Sequence, residues 1–133
     1  MNPMLDTNVI VRFLIGDKNE KFKGVFNFFK SIEQNKIAVE LKLIVLFQTI
    51  FVLKSYYKVP KDRMIDAIVR LLKFKGLKIK EKRIVERMLE IWCSNNIEIV
   101  DAYLIASLEK DSQNILYSYD TDFDRFEINR IEP

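Results

Sequence analysis

The chain has 133 residues, 49% of them hydrophobic and 31% charged, with a net charge of +3. That size suits one domain, residues 1–133, with a real core, and the composition excludes disorder. There is no histidine and only one cysteine, which excludes imidazole acid–base work, Ser-His-Asp and Cys-His catalysis, an internal disulfide and a structural zinc site.

In chain order, residues 2–5 read as a short buried strand and residues 8–15 as a helix, with Gly16 as its stop. Asp6 stands between them. An acid at the carboxyl end of a strand in an open α/β sheet faces the crevice where ligands sit. The plainer reading is that Asp6 or Thr7 caps the helix. Residues 20–34 form a second helix, with Phe22, Val25, Phe26, Phe29 and Ile32 on one face. Phe28 lies off that stripe and either meets a partner or packs under a loop. Residues 36–43 alternate as a strand with one wetter face. Residues 44–57 are almost continuously apolar and long enough for a buried helix. Gln48 is the strongly polar residue in its first half, either bonded to backbone or facing the crevice.

Pro60 opens the next helix, in a position proline favours, and Gly76 ends it. Residues 77–80 form a short strand and 81–94 a helix, broken by Asn95 and Asn96. Cys93 beside Trp92 is expected to pack rather than react. Residues 101–110 are helical, with Asp101 in the first turn. Residues 115–119 form a strand leading into Asp120-Thr121-Asp122-Phe123-Asp124, a second acidic cluster. A short turn or helix and a last edge strand, 127–131, follow. Strands alternating with helices predict an α/β fold, a three-layer α/β/α sandwich around a mostly parallel sheet. The basic stretch from Lys73 to Arg83 could touch phosphates, but a solvated helix end and edge strand are the preferred account.

The chemistry available is that of carboxylates, hydroxyls, amides, lysines and arginines. Hard oxygen ligands suit magnesium or manganese. A mildly basic chain with local acidic clusters fits a metal site for an anionic substrate. No apolar run reaches membrane-spanning length, and residues 44–53 are interrupted by Gln48 and Thr49. The N-terminus lacks a basic-then-apolar signal pattern, so a cytoplasmic location is expected.

Four stretches taken together resemble a known family: Leu5-Asp6-Thr7-Asn8-Val9, Arg12-Phe13-Leu14, Val100-Asp101-Ala102 and Ser118-Tyr119-Asp120-Thr121-Asp122-Phe123. Their order and spacing resemble the successive motifs of a PIN domain, of the VapC-type toxin ribonucleases of toxin–antitoxin pairs. The resemblance implies a divalent-metal-dependent endoribonuclease that uses Mg2+ or Mn2+. It implies an RNA substrate, a cognate antitoxin and a homodimer, with which surplus apolar residues such as Phe28 and Phe51 are compatible. Asp6, Asp101 and Asp120 match the family's first, third and fourth acids, which act as metal ligands and in catalysis. Asp122 matches an accessory metal ligand. Asn8 and Ser118 match supporting polar residues.

One position departs from the pattern. The family's second acid is a Glu followed by a Val-Leu pair, and here Gln48 takes its place, ahead of Val52-Leu53. Glu40 lies in the strand before it, at the wrong distance to replace it, and Glu98, three residues before Asp101, could lean into the site but is no convincing substitute. An amide carbonyl can still ligate a metal or its waters without the charge. The departure bears on activity rather than fold. It leaves a PIN-like RNA- or protein-binding scaffold with weak or lost nuclease activity as the alternative. A phosphoacceptor receiver domain, another parallel α/β fold with an acidic magnesium pocket, is discounted. It needs paired acids after the first strand, where Thr7 and Asn8 stand, and a mid-chain acceptor Asp that this chain lacks.

Overall fold

The computed structural model describes residues 2–111 and 113–133. The chain forms two compact units, Met1–Lys80 and Glu81–Pro133. In the first, a small parallel ladder is built from three segments. Strands β1 (Val39–Glu40) and β2 (Leu77–Lys78) pair with Val39 opposite Leu77 and Glu40 opposite Lys78. Met4 bridges Glu40 on the other side. There the Leu5 N–H donates to the Glu40 carbonyl at 3.0 Å, and the Glu40 N–H donates to Pro3 at 2.7 Å. The two-residue alternation of a strand sorts the side chains. Leu5, Val39, Leu41 and Leu77 are buried, whereas Met4 and Lys78 are exposed.

The ladder is shorter than the sequence predicts. The strand expected over 2–5 is reduced to the bridge at Met4, because Pro3 has no N–H to donate and helix α1 starts two residues after Leu5. The strand expected over 36–43 shrinks to β1. Lys42 already caps helix α3, so the apolar alternation of Leu41 and Leu43 runs across a helix start.

Helix α1 (Thr7–Leu14) buries Ile10 and Val11 and is followed by Gly16 at φ +67°, a left-handed turn that glycine takes without strain. The helix expected over 20–34 is two pieces, a 3-10 turn Glu20–Phe22 capped by Asn19 and helix α2 (Val25–Glu33). The break falls at Lys23 and Gly24, where glycine is a poor helix former. The break also changes the buried face. Phe29 and Ile32 are fully buried, but Phe26 is 44% exposed. Phe29 instead stacks flat on Phe13 of α1, with centroids 4.1 Å apart. Phe28 is half-buried with its ring edge-on to Phe29 at 5.5 Å. Each fully buried side chain of this kind stabilises the fold by roughly 1.5–3 kcal/mol.

Helix α3 (Leu43–Ser55) packs against α1 and α4, burying Leu46, Thr49, Ile50 and Leu53. The Thr49 hydroxyl donates to the Val45 carbonyl at 2.8 Å, which satisfies the buried oxygen. Helix α4 (Lys61–Leu72) has Pro60 as its N-cap and ends at Lys73 rather than at Gly76. Gly76 serves a different purpose. Its N–H donates to Ile32 at 2.8 Å and its carbonyl accepts from Val39 at 2.9 Å, so the chain entering β2 lies pressed against the end of α2.

The second unit holds helices α5 (Lys82–Ser94) and α6 (Ile99–Glu109), which pack on each other. α5 buries Ile84, Val85, Met88, Leu89, Ile91 and Trp92. The small Ala102 and Ala106 of α6 let the helices approach closely. Arg87 of α5 forks onto the Glu109 carboxylate, with Nε–Oε2 at 2.8 Å and Nη2–Oε1 at 3.0 Å. Cys93 is exposed. The expected packing role fails because the inward face of α5 passes through Ile91 and Trp92 and turns away at the next residue. Strands β3 (Ile115–Tyr117) and β4 (Asn129–Ile131) pair in parallel, with Leu116 opposite Arg130. A 3-10 turn, Thr121–Arg125, lies between them.

Among the described residues every strand pairing is parallel, and the fold is the mixed α/β class that the sequence predicts. No helix among them is long and apolar enough to cross a membrane.

Candidate functional site

In the first unit, Asp6 ends the segment that bridges β1 and caps α1. Its Oδ1 accepts the Thr7 N–H at 2.9 Å, which leaves Oδ2 open to solvent. The capping reading of Asp6 therefore holds and is compatible with a further ligand. Asp6 lines a cleft of about 430 Å³ together with Asn8, Arg12, Gln48, Tyr56 and Tyr57. Gln48 is exposed, not buried as its apolar neighbours suggest. The buried polar residue of α3 is Thr49, one position along. No hydrogen bond engages the Gln48 amide among the described residues, and it faces the same cleft as Asp6.

Arg12 was not marked as functional in the sequence. Its Nη1 donates to Asp17 Oδ2 at 2.8 Å and to the Tyr57 hydroxyl at 3.4 Å, and its Nε donates to Asn8 Oδ1 at 3.3 Å. The guanidinium also lies 4.4 Å from the centre of the Phe22 ring. It is a fixed cation in the wall of an otherwise acidic and amide-lined cleft. Only the i, i+4 spacing of Asn8 and Arg12 hints at this in the sequence. Asp17 and Tyr57 are brought in by folding.

In the second unit, Asp101 sits in the first turn of α6, half-buried, two residues after the helix begins and one residue earlier in the chain than Ala102. Asp120 caps the 3-10 turn, its Oδ1 accepting the Asp122 N–H at 2.9 Å. The Ser118 hydroxyl oxygen accepts the Asp120 N–H at 3.0 Å and so orients the cap. Burial raises the Asp101 carboxyl above the usual range, and the charges of Asp120, Glu98 and Asp122 raise it further. Three carboxylates thus lie near enough to disfavour the charge of Asp101.

Asp124, the third acid of the run, is removed from that group. Arg130 donates to both its oxygens, at 2.9 and 3.1 Å, and to the Ser118 carbonyl at 2.9 Å. These bonds, then the guanidinium charge, hold the Asp124 carboxyl below the usual range.

The donor chemistry fits a hard divalent cation, which mutual repulsion at Asp101 would favour. Among the described residues, however, no three acidic side chains come together in a ligand set. The structure places Asp6, Asn8 and Gln48 together in the first unit, and Asp101, Ser118, Asp120 and Asp122 together in the second.

Parallel strands, an acid at the end of the first strand segment and an acidic cluster after β3 define an α/β protein with carboxylates at its strand ends. The PIN domain family model matches residues 4–129, and the chain belongs to that family. A search of curated proteins finds no match. PIN domains are generally metal-dependent nucleases, and a nuclease-type function is what membership suggests.

Proposed function

We propose that this chain is a divalent-metal-dependent endoribonuclease and the toxin of a toxin–antitoxin pair. The observation that carries the reading is the PIN family match over residues 4–129, joined by the closeness of Asp101 to Asp120, Glu98 and Asp122. Such a cluster costs stability unless a cation uses it. The proposed ligands are Asp6 in the first unit and Asp101, Asp120 and Asp122 in the second, with Mg2+ or Mn2+ as the ion. When bound, the ion supplies a low-pKa water and neutralises phosphate oxygens. Asn8 and Gln48 supply supporting amide groups in the Asp6 cleft, and the Ser118 hydroxyl, accepting the Asp120 N–H, fixes the backbone at that cap. The family match crosses the boundary at Lys80 and Glu81, which supports a single PIN-like domain.

A cytoplasmic setting, a cognate antitoxin and a homodimer complete the proposal. The exposed Ile44 and Phe51 on α3 support the homodimer. The antitoxin would reach the carboxylates with an inserted Arg or Lys, in competition with the ion.

The test is cleavage of single-stranded RNA by purified protein with Mg2+ or Mn2+ against chelator. Divalent-dependent cutting is expected, and Asp6→Asn should lower it about 100-fold or more while leaving folding intact. An Asp6→Asn protein that cuts at the wild-type rate would remove Asp6 from the ligand set.

A second reading has its own observation. Gln48 lines the Asp6 cleft without a charge, so the protein could hold RNA or a partner and cut poorly. Gln48→Glu separates the two. A new carboxylate beside Asp6 should tighten Mn2+ binding about tenfold, once desolvation has offset most of the Coulomb gain. It should lower apo stability and raise cleavage if the missing acid limits it. Calorimetric titration with Mn2+ is the direct measurement. Equal affinity and equal apo stability would mean that Gln48 has no part in metal binding.

A further inference from the structure

The Asp6 cleft has two chemically different ends. One is polar, with the Asp6 carboxylate and the amides of Asn8 and Gln48. The other is aromatic, with Tyr56 and Tyr57 at the end of α3. Tyr56 is 76% exposed. Its position is nevertheless well defined. The Tyr56 N–H closes the last turn of α3 on Val52 at 2.9 Å, and the Tyr57 N–H reaches the same carbonyl at 3.3 Å. The Tyr56 ring stands edge-on to Tyr57, with centroids 4.8 Å apart and planes at 75°. Tyr57 is in turn held by Arg12 through its hydroxyl. The Tyr56 ring thus rests on Tyr57, which Arg12 holds in turn, so the exposed tyrosine has a fixed support behind it.

We infer that the Asp6 cleft is the seat of one unpaired nucleotide, whose base stacks on Tyr56 while Gln48 and Asn8 meet its polar edge. The inference rests on the ribonuclease reading and adds to it a residue that holds the base. A planar heteroaromatic ring matches the exposed tyrosine face. Amides both donate and accept, as a base edge requires. The Asp6 end repels a bare phosphate, so the backbone can follow only where a cation is bound. A paired base offers no free face, because its neighbours in the helix cover both sides. The expected substrate is therefore a single strand or a loop, and the contact is tolerant of base identity.

The test is fluorescence anisotropy with a short labelled single-stranded RNA in Mg2+, its integrity checked by gel after each titration. Tyr56→Ala should weaken binding by roughly 5- to 100-fold. Tyr56→Phe, which keeps the ring, should stay within about twofold. An oligonucleotide with the bases removed should bind wild type as weakly as normal RNA binds Tyr56→Ala. The unfolding midpoint of both variants should match wild type, since the ring is exposed.

If Tyr56→Ala binds as well as wild type, or a duplex binds as well as the single strand, the stacking role is wrong, and the ribonuclease reading is untouched. If the binding pattern appears but no variant cuts, the stacking role stands and the nuclease reading falls. If wild type binds no single strand and instead takes only a basic peptide, both fall.

Discussion

Asp101→Asn is expected to abolish divalent-dependent RNA cleavage while raising the stability of the metal-free protein at neutral pH. The first effect follows from losing a proposed ligand and should exceed about 100-fold. The second follows from the environment of the carboxyl. Burial, then Asp120, Glu98 and Asp122, make its charged form unfavourable in the folded state. The folded pKa is raised above the unfolded value, so folding favours the protonated acid. Its contribution is fully favourable below the unfolded pKa and is lost as pH rises through the folded one. Above that, the ionised group destabilises the native state. An asparagine escapes the penalty, with a gain on the order of 1 kcal/mol at pH 7.

Thermal unfolding of both proteins from pH 3 to pH 8 in chelator checks the sign. The advantage of the variant should fade in acid and be reversed at neutral pH by added Mn2+, which stabilises only the protein that binds it. A variant less stable than wild type at pH 7 in chelator would mean that Asp101 is engaged in a favourable contact instead.

Gly76→Ala should destabilise the first unit by about 3 kcal/mol or more, a fall in melting temperature of roughly 10 °C. A methyl group there would collide with the carbonyl oxygen of Ile37 and come within 2.8 Å of that of Ile32. Both are backbone atoms and cannot swing aside. A shift of the chain would instead break the bonds from Gly76 to Ile32 and from Val39 to Gly76. The other two glycines serve as controls. Gly24 has open space and ordinary dihedrals, so Gly24→Ala should be neutral or slightly stabilising. Gly16 has open space but φ +67°, so its alanine variant should cost about 1 kcal/mol. Equal melting temperatures for Gly76→Ala and Gly24→Ala would show that the close approach is absent.

What could be read from sequence was mostly what is local. The positions of α1, α3, α4, α5 and α6 follow from apolar spacing and caps, and the parallel pairing follows from the alternation of strands with helices. The split at Gly24 was hidden because the apolar spacing continues across it. Phe26 was misplaced for the same reason, since only the stack of Phe13 on Phe29 decides which ring goes inside. Gln48 and Thr49 are adjacent, and nothing in a continuous apolar run says which of them faces in. Asp101, Asp120 and Asp122 were named in the sequence through the family resemblance, and each lies in the first turn or cap of its element. The role of Arg12 was not, because its partner Tyr57 lies 45 residues away. The departure at Gln48 could be seen in the sequence, but its place in the Asp6 cleft needed the fold.

Arg130 is only 12% exposed in its side chain, and it ties β4 to the turn that carries Asp120 and Asp122. Tyr119 adds a second tie, its hydroxyl donating to the Pro133 carbonyl at 3.2 Å. A protease that trimmed residues 129–133 would therefore remove no proposed ligand and still dismantle the turn. Asp124 would lose its guanidinium partner, β3 would lose its paired strand, and the Ser118 carbonyl would lose the donor that holds it. Residues with none of the proposed chemistry in them thus hold in place the segment that carries two of the proposed ligands.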